Sequence, residues 1–223
     1  FTKKWFYKKK ITLLNNGSIR GVGKSKLISK NKILSIKQKY NIPISSKIIL
    51  YSGRINFDKG IDTLIKSFVI LQKNNYKKIY LLIIGDDEID INSYLSSYSS
   101  SILDRIVILP YTNRISQFYS ISDIFCLPSL REGFGMSVIE ASFHSLPVVV
   151  SDIYGLSDSY LNNHTGLNFK VSNEIDLSKQ LLRLLDNAKL GRIMGANGKK
   201  FVKNRFSEDD ISKFLLNYIE RLH

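Results

Sequence analysis

The chain has 223 residues, of which 43% are hydrophobic and 23% charged, a balance that excludes wholesale disorder and allows one sizeable core or two small ones. Its single cysteine excludes an internal disulfide and favours a reducing cytosol, and its apolar runs are too short for a membrane span or a signal peptide. The net charge of +14 is typical of proteins that bind nucleic acid, an anionic membrane or a phosphate-bearing ligand, although lysines solvated all round the surface would give the same total.

Residues 1–12 form a basic and aromatic lead-in, with five lysines and four aromatic side chains in the first ten positions. This composition suits a membrane interface, and it also suits the end of a connection to a preceding domain. We interpret it as the remnant of an interdomain connection.

Alternating strand and helix signals occupy most of the remaining chain. Nearly unbroken Ile, Leu and Val runs, typical of strands covered on both faces, predict strands at 47–52, 79–85, 106–110, 123–128 and 146–151. Amphipathic stretches predict helices at 59–74, 92–101, 113–121, 136–145, 175–187, 189–204 and 208–222. The alternation predicts an α/β fold with a doubly wound, Rossmann-like parallel sheet in one domain.

The loop that follows the first long strand, "SGRINFDKG", carries two cations. In doubly wound sheets, ligands bind where the carboxyl ends of the strands lead into helices. Arg54 offers a planar fork for phosphate oxygens, and Lys59 adds a compact point charge. The two side chains suit a diphosphate, which they could neutralise without a metal; no His, Asp or Glu cluster has metal-ligand spacing.

A second loop, "REGFGMSVIEA", places two carboxylates around a glycine-rich turn. Gly133 and Gly135 permit positive φ and a close approach of backbone N–H groups, and a helix beginning near Met136 points its positive end at the same place. Glu132 and Glu140 can accept hydrogen bonds from sugar hydroxyls. Surface glutamates beside a turn are also common without any function, but two loops that both suit a sugar diphosphate favour the binding site.

Several segments in order resemble one known family. They are "NNGSIRGV", "ILYSGRINFDKGIDTLIKSF", "FYSISDIFCLPSLREGFGMSVIEA", "LPVVVSDIYGL", "NHTGLNF" and "RFSEDDI". Together they resemble the carboxyl-terminal, donor-binding half of a family 4 retaining glycosyltransferase of the GT-B architecture, of the type that builds bacterial surface polysaccharides. The resemblance runs from about Leu13 to the end of the chain.

The resemblance implies roles for the matching positions. Arg54 and Lys59 would bind the donor diphosphate and stabilise it as it leaves, and Glu132 would contact the transferred sugar; these three are the catalytic candidates. The donor-binding candidates are Gly53, Arg54, Lys59, Tyr111, Glu132, Gly133, Phe134, Gly135, Met136 and Glu140. Within this set, backbone N–H groups at 133–135 would assist Glu132, Glu140 would hold the ribose hydroxyls, and Tyr111 would meet the base. The donor would be a UDP- or GDP-linked sugar, with no cofactor and no metal.

The sequence departs from the family pattern at a few positions. Ser145 replaces a usual glycine, after His144, which we expect to be a packed or helix-end residue. Tyr154-Gly155 stands where the family has paired glycines, and Asp158 where it has a glutamate. These departures bear on the donor sugar and the acceptor more than on diphosphate binding.

The predicted organisation is a lead-in at 1–12, a nucleotide-sugar-binding domain at 13–207 and a last helix at 208–223. We expect that helix to pack against an absent amino-terminal half that binds the glycan or lipid-linked acceptor, and the isolated half to be inactive. We expect the protein in the cytoplasm, with peripheral contact to the anionic inner face of the membrane. Two alternatives stay open, a non-catalytic nucleotide-sugar-binding module and, from charge alone, a nucleic-acid-binding protein; nucleic acid is not an expected partner because no motif for it is present.

Overall fold

One parallel sheet of six strands organises the chain in the computed structural model, which describes residues 21–23, 28–74, 76 and 78–220. The strands are β1 (Lys47–Ser52), β2 (Ile79–Ile84), β3 (Ile106–Leu109), β4 (Ile124–Leu127), β5 (Val148–Ser151) and β6 (Gly166–Phe169). Their order across the sheet is β3-β2-β1-β4-β5-β6, and every pairing is parallel.

The strand order reverses direction between β1 and β4. The chain first builds outward from β1 to β3 and then returns to the other side of β1 to build β4, β5 and β6. Because crossovers between parallel strands are right-handed, this reversal places the connecting helices of the two halves on opposite faces of the sheet. It also opens a crevice at the carboxyl ends of β1 and β4, the place where ligands bind in such sheets.

Helices cover the sheet. They are α1 (Lys30–Lys39), α2 (Ile61–Lys73), α3 (Ile91–Leu95), α4 (Ser100–Leu103), α5 (Ile115–Ile121), α6 (Met136–Phe143), α7 (Glu174–Asp186), α8 (Ala188–Arg205) and α9 (Glu208–Glu220). Helix α2 packs against α7, α6 against α8, and α1 against α5. The central strand shows how completely the sheet is covered, since the side chains at 48–51 have no exposed surface.

The predicted α/β, doubly wound parallel sheet is confirmed, and the five predicted strands are found within two residues of their expected bounds. Helix α1 and strand β6 were not predicted. The sequence of α1 is mostly polar and basic, and β6 is only four residues long, begins with Gly166 and contains a polar Asn168. The helix expected at 92–101 is two short helices, α3 and α4.

Two predicted segments lie wholly or partly outside the described residues. The lead-in at 1–12 lies outside them, as does most of the segment "NNGSIRGV". The last helix is described as far as Glu220, and it leaves Leu216 and Ile219 more than half exposed. The boundaries proposed at 13–207 and 208–223 therefore stay predictions.

Candidate active site

A cavity of about 550 Å³ lies at the carboxyl ends of β1, β2, β3 and β4. It occupies the crevice where the strand order reverses. Its walls come from four successive strand ends and the first turn of α6. The lining residues are Ser52, Gly53, Arg54, Lys59, Ile84, Gly85, Asp86, Tyr111, Thr112, Asn113, Ile115, Leu127, Glu132, Met136, Ser137 and Glu140.

The loop between β1 and α2 is shaped by a capped turn and a glycine. The Asn56 carboxamide oxygen accepts a hydrogen bond from the Lys59 backbone N–H at 2.9 Å, which starts a short 3₁₀ turn at Phe57–Lys59. Gly60 ends that turn at φ +68°, and a Cβ there would collide with the Pro128 carbonyl. The loop therefore lies directly against the end of β4, and Lys59 is held in the crevice.

The loop between β4 and α6 uses only one of its two glycines for a special backbone conformation. Gly135 has φ +79° and caps α6, and a side chain there would meet Leu156. Gly133 is not at positive φ, which corrects the expectation that both glycines need that freedom. Apart from Gly133 and its two chain neighbours, no described residue has an atom within 4 Å of the position that a Cβ of Gly133 would take, so this glycine leaves open space beside Glu132.

Three consecutive contacts join the two loops. The Leu130 backbone N–H donates to the Asp58 carbonyl at 2.9 Å, and the Arg131 guanidinium pairs with the Asp58 carboxylate at 2.6 Å. The third contact is an ion pair between Lys59 Nζ and Glu132 Oε1, also at 2.6 Å. The loop cation and the loop carboxylate that were predicted separately are therefore direct neighbours.

The Lys59–Glu132 pair is largely shielded from solvent. The two side chains are 18% and 14% exposed, and the Ser129 hydroxyl donates a second hydrogen bond to the same Glu132 oxygen at 2.7 Å. Partial burial strengthens the Coulomb attraction and holds both groups at the cavity wall. A phosphate that enters the cavity meets a cation whose charge is already partly compensated.

Arg54 lines the same cavity and makes a second carboxylate contact. Its guanidinium Nη1 is 3.1 Å from Glu88 Oε1, and the Asn56 amide donates to the other Glu88 oxygen at 2.6 Å. The Asn56 hydrogen bond and the nearby Arg54 charge lower the pKa of Glu88. The backbone aligns these groups, because a Glu88 N–H to Ile55 carbonyl bond of 3.0 Å joins their two loops.

Close backbone packing fixes the base of this arrangement. The Gly53 N–H donates to the Ile84 carbonyl at 3.0 Å, and Gly85 lies so near Gly53 that a Cβ at position 85 would overlap the Gly53 carbonyl. The ends of β1 and β2 can approach in this way only because a glycine occupies position 85. Arg54 therefore begins from a rigid strand end.

Glu140 reaches the cavity from the second turn of α6. The Tyr119 hydroxyl donates to Glu140 Oε2 at 3.1 Å, and the Tyr119 ring stacks on the imidazole of His144 with ring centres 5.2 Å apart. His144 is the C-cap of α6 and is half-buried, a packed helix-end position. Its burial, together with the nearby Lys199, lowers its pKa to about 4.

The structure brings most of the predicted donor-binding residues to this one cavity. Gly53, Arg54, Lys59, Tyr111, Glu132, Met136 and Glu140 line it, with Tyr111 69% exposed at the rim. Gly133, Phe134 and Gly135 do not line it. The Phe134 ring turns away and packs edge-on against Phe206, with the ring centres 5.2 Å apart.

Sequence reasoning missed several polar residues of the cavity. Ser52, Asp86, Thr112, Asn113 and Ser137 all line it. Ser52 ends β1, and the next three lie two to four residues beyond the ends of β2 and β3, so the rule that selected Arg54 would have found them if it had been applied to every strand end. Glu88 and Tyr119 gave no local signal, because each acts on a residue that is distant in sequence.

The arrangement can bind an anion that is flanked by hydroxyl groups. Arg54 and Lys59 supply positive charge, the N-terminus of α6 faces the same crevice, and Glu132 and Glu140 supply acceptors on its walls. Within the described ranges, no three or more His, Cys, Asp or Glu side chains are grouped to hold a metal ion. Over the same ranges, no helix has the length and apolar character to cross a membrane.

Comparisons with known proteins identify the family. The family described as "Glycosyl transferases group 1" matches residues 32–201. A capsular polysaccharide biosynthesis glycosyltransferase, CapM of Staphylococcus aureus, is 31% identical over 208 residues, which are 91% of this chain and 53% of that protein.

Solved structures show the same fold. The structure of HepE of Anabaena with UDP-glucose matches with a TM-score of 0.77 at 16% identity, over 87% of this chain and 54% of that one. The C-terminal domain of a group 1 glycosyl transferase, LpcC of Francisella tularensis, matches with a TM-score of 0.69 at 21% identity, over 80% of this chain and 94% of that domain.

The chain spans about half the length of the curated relatives that it matches. The matched part of this chain is a Rossmann-like parallel sheet flanked by helices, the fold that the GT-B neighbours share. By its family match and its relationship to CapM, the chain belongs to the group 1 glycosyltransferases.

Proposed function

We propose that this chain is the donor-binding half of a retaining glycosyltransferase that transfers a sugar from a nucleotide-sugar to a glycan or lipid-linked acceptor in bacterial surface polysaccharide biosynthesis. One observation carries the proposal. Two cations from the loop after β1 and two carboxylates from the segment after β4 converge on one cavity, together with the N-terminus of α6. That combination matches the chemistry of a diphosphate with a sugar at each end.

The donor class has independent support. The HepE structures that share this fold are described in complex with UDP and with UDP-glucose. CapM, the relative at 31% identity, is described as an enzyme of capsular polysaccharide biosynthesis. These descriptions favour a nucleoside diphosphate sugar, UDP- or GDP-linked, and a polysaccharide pathway for this chain.

In the proposed reaction, the bond between the anomeric carbon and the diphosphate oxygen breaks, and the acceptor hydroxyl oxygen bonds to that carbon on the same face. The hydroxyl proton passes to the departing diphosphate. Arg54 and Lys59 stabilise the negative charge that develops on the leaving group, an electrostatic contribution that is large in a partly enclosed site. Glu132, next to the open space at Gly133, contacts the transferred sugar, and Glu140 holds the ribose hydroxyls.

In this proposal, the acceptor binds to a second domain that faces this cavity. The basic surface of the chain suits acceptors carried at an anionic membrane on its cytoplasmic side. A second candidate function, a nucleotide-sugar-binding module without catalysis, rests on the same cavity. The transferase and the binding module would both bind the donor, but only the transferase would turn it over.

Calorimetric titration with UDP and GDP tests the donor site. We expect the chain to bind at least one of them, and Arg54→Ala and Glu140→Ala each to weaken that binding about tenfold or more, since each removes a charged partner of the ligand. Lys66→Ala is the matched control, because Lys66 is a cation of α2 that pairs with Asp62 away from the cavity. Unchanged affinity in both site variants would remove the basis of the assignment.

Turnover separates the enzyme from the binding module. The chain is assayed for release of the nucleoside diphosphate from UDP- and GDP-sugars, alone and joined to whatever amino-terminal segment its gene encodes. Sugar transfer by the longer protein, lost on Lys59→Met, supports the transferase. Donor binding without transfer in every form supports the module.

A further inference from the structure

We propose that Tyr119 is a positioning residue for the donor site, which orients the Glu140 carboxylate toward the ligand by a hydrogen bond from its buried phenol. This inference rests on the proposed function, because it takes Glu140 as the group that binds the ribose hydroxyls. Tyr119 itself does not line the cavity, so it would act on the ligand only indirectly, by holding Glu140.

The phenol is fixed on every side. Tyr119 is 1% exposed, and its ring packs edge-on against Phe125 of β4, with the ring centres 5.9 Å apart, and stacks on His144 at 5.2 Å. A ring held between a strand and a helix end has a single rotamer available. Its hydroxyl therefore lies at one fixed point beside α6.

The Tyr119 hydroxyl directs its hydrogen bond at the Glu140 carboxylate. The phenol donates to Glu140 Oε2 at 3.1 Å. Burial and the adjacent Glu140 carboxylate raise the pKa of Tyr119 well above its usual value, so the phenol stays a proton donor. This bond joins α5, which bears Tyr119, to α6, which bears Glu140.

A fixed donor matters because a glutamate side chain has three rotatable bonds. These bonds allow rotamers that turn the carboxylate away from the ligand, so each contact that holds it in place reduces the entropy lost on binding. The bond from Tyr119 occupies one oxygen and thereby directs the carboxylate. Pre-ordering of this kind increases affinity only for ligands that contact Glu140.

Tyr119→Phe is the matched test, since it removes one oxygen and leaves the ring packing in place. We expect this variant to bind UDP or GDP, whichever binds the wild type more tightly, about tenfold more weakly, as for a hydrogen bond to a charged group. We expect its affinity for the 2′,3′-dideoxy form of that nucleotide to equal that of the wild type, because that ligand lacks the hydroxyls that Glu140 accepts. Tyr160→Phe is the control, a buried tyrosine outside the cavity lining.

A double-variant cycle distinguishes positioning from general loosening. In the Glu140→Gln background, Tyr119→Phe should change nucleotide affinity less than twofold, because the residue through which it acts is already altered. A loss that persists in that background, or an equal loss for the dideoxy nucleotide, would overturn the proposal. If the wild type binds neither nucleotide, or Glu140→Gln has no effect, the proposed function fails instead.

A measurement on the unaltered protein covers the case in which Tyr119→Phe does not fold. With tyrosine labelled at Cζ, the NMR signal of Tyr119 should shift when the ribonucleotide binds, since the carboxylate that it contacts gains new partners. The dideoxy nucleotide should leave that signal in place. Identical spectra with both nucleotides would contradict the proposal.

Discussion

The ion pair between Lys59 and Glu132 at the cavity wall predicts opposite changes in nucleotide affinity for Lys59→Met and Glu132→Gln, and unequal losses of stability. The pair is 2.6 Å long, and its side chains are 18% and 14% exposed. Exposed pairs contribute about 0–1 kcal/mol, and breaking a fully buried pair costs about 3–5 kcal/mol, so we expect Lys59→Met to lower the free energy of unfolding by about 2 kcal/mol. Glu132→Gln keeps acceptors for Ser129 and Lys59, and we expect it to cost less than about 1 kcal/mol.

Ligand affinity should separate the two variants further. Lys59→Met removes a charge-assisted hydrogen bond to the diphosphate, about 1.5–3 kcal/mol, and should weaken UDP or GDP binding roughly 10- to 100-fold. Glu132→Gln releases the Lys59 charge to the diphosphate and should tighten binding of the free nucleotide about threefold or more. Calorimetry gives both affinities, and chemical denaturation gives both stabilities.

The pair on α2 provides the controls for this comparison. Lys66→Met and Asp62→Asn break an exposed i,i+4 pair of 3.4 Å, and should change neither property by more than about 0.5 kcal/mol. If Lys59→Met left nucleotide affinity intact, or if Glu132→Gln weakened it, the proposed competition between the carboxylate and the diphosphate would be wrong.

Three other predictions concern packing, pH and association. Gly85→Ala should destabilise the fold by about 2–3 kcal/mol in denaturant unfolding, since its methyl group would overlap the Gly53 carbonyl. His144 has a folded pKa near 4 against 6.5 unfolded, so the unfolded chain binds more protons between these values and stability should rise from pH 4 to pH 6.5. Discounted for partial exposure, this rise is about 1–2 kcal/mol, and a His144→Phe variant should lack it. Changing Leu216 and Ile219, both more than half exposed on α9, to lysine should reduce self-association in sedimentation.

Matched variants make these three tests specific. Gly133→Ala has open space for its methyl group and should cost far less stability than Gly85→Ala. The exposed His164, changed to Gln, should leave the pH profile of stability unchanged. Ile175→Lys, at an exposed position of α7, should leave self-association in sedimentation as it is in the wild type. An equal effect from any control would contradict the corresponding explanation.

The fold was predictable because its signals are local. Each predicted strand is an apolar run long enough to be buried on both faces, and each loop that was singled out follows such a strand. Helix α1 was missed because tertiary contact with α5, and not its own amphipathicity, stabilises it. Strand β6 was missed because four residues that include a polar side chain give too little periodicity.

Four charged residues of the cavity were predictable, but their partners were not. Arg54, Lys59, Glu132 and Glu140 could be selected because loops after neighbouring parallel strands must meet. Their contacts with Glu88 and Tyr119 depend on loop registers and rotamers that no sequence period encodes. The φ angle of Gly133 likewise depends on how the loop packs, and the presence of a glycine does not determine it.

The central claim is that the cations after β1 and the first turn of α6 bind one pyrophosphate. A crystal structure of the chain with UDP or GDP tests it most directly. We expect the Arg54 guanidinium and Lys59 Nζ within hydrogen-bonding distance of the phosphate oxygens, the backbone N–H groups at 136–137 facing them, and Glu140 on the ribose. A nucleotide bound elsewhere, or one whose phosphates lie away from Arg54 and Lys59, would contradict the account.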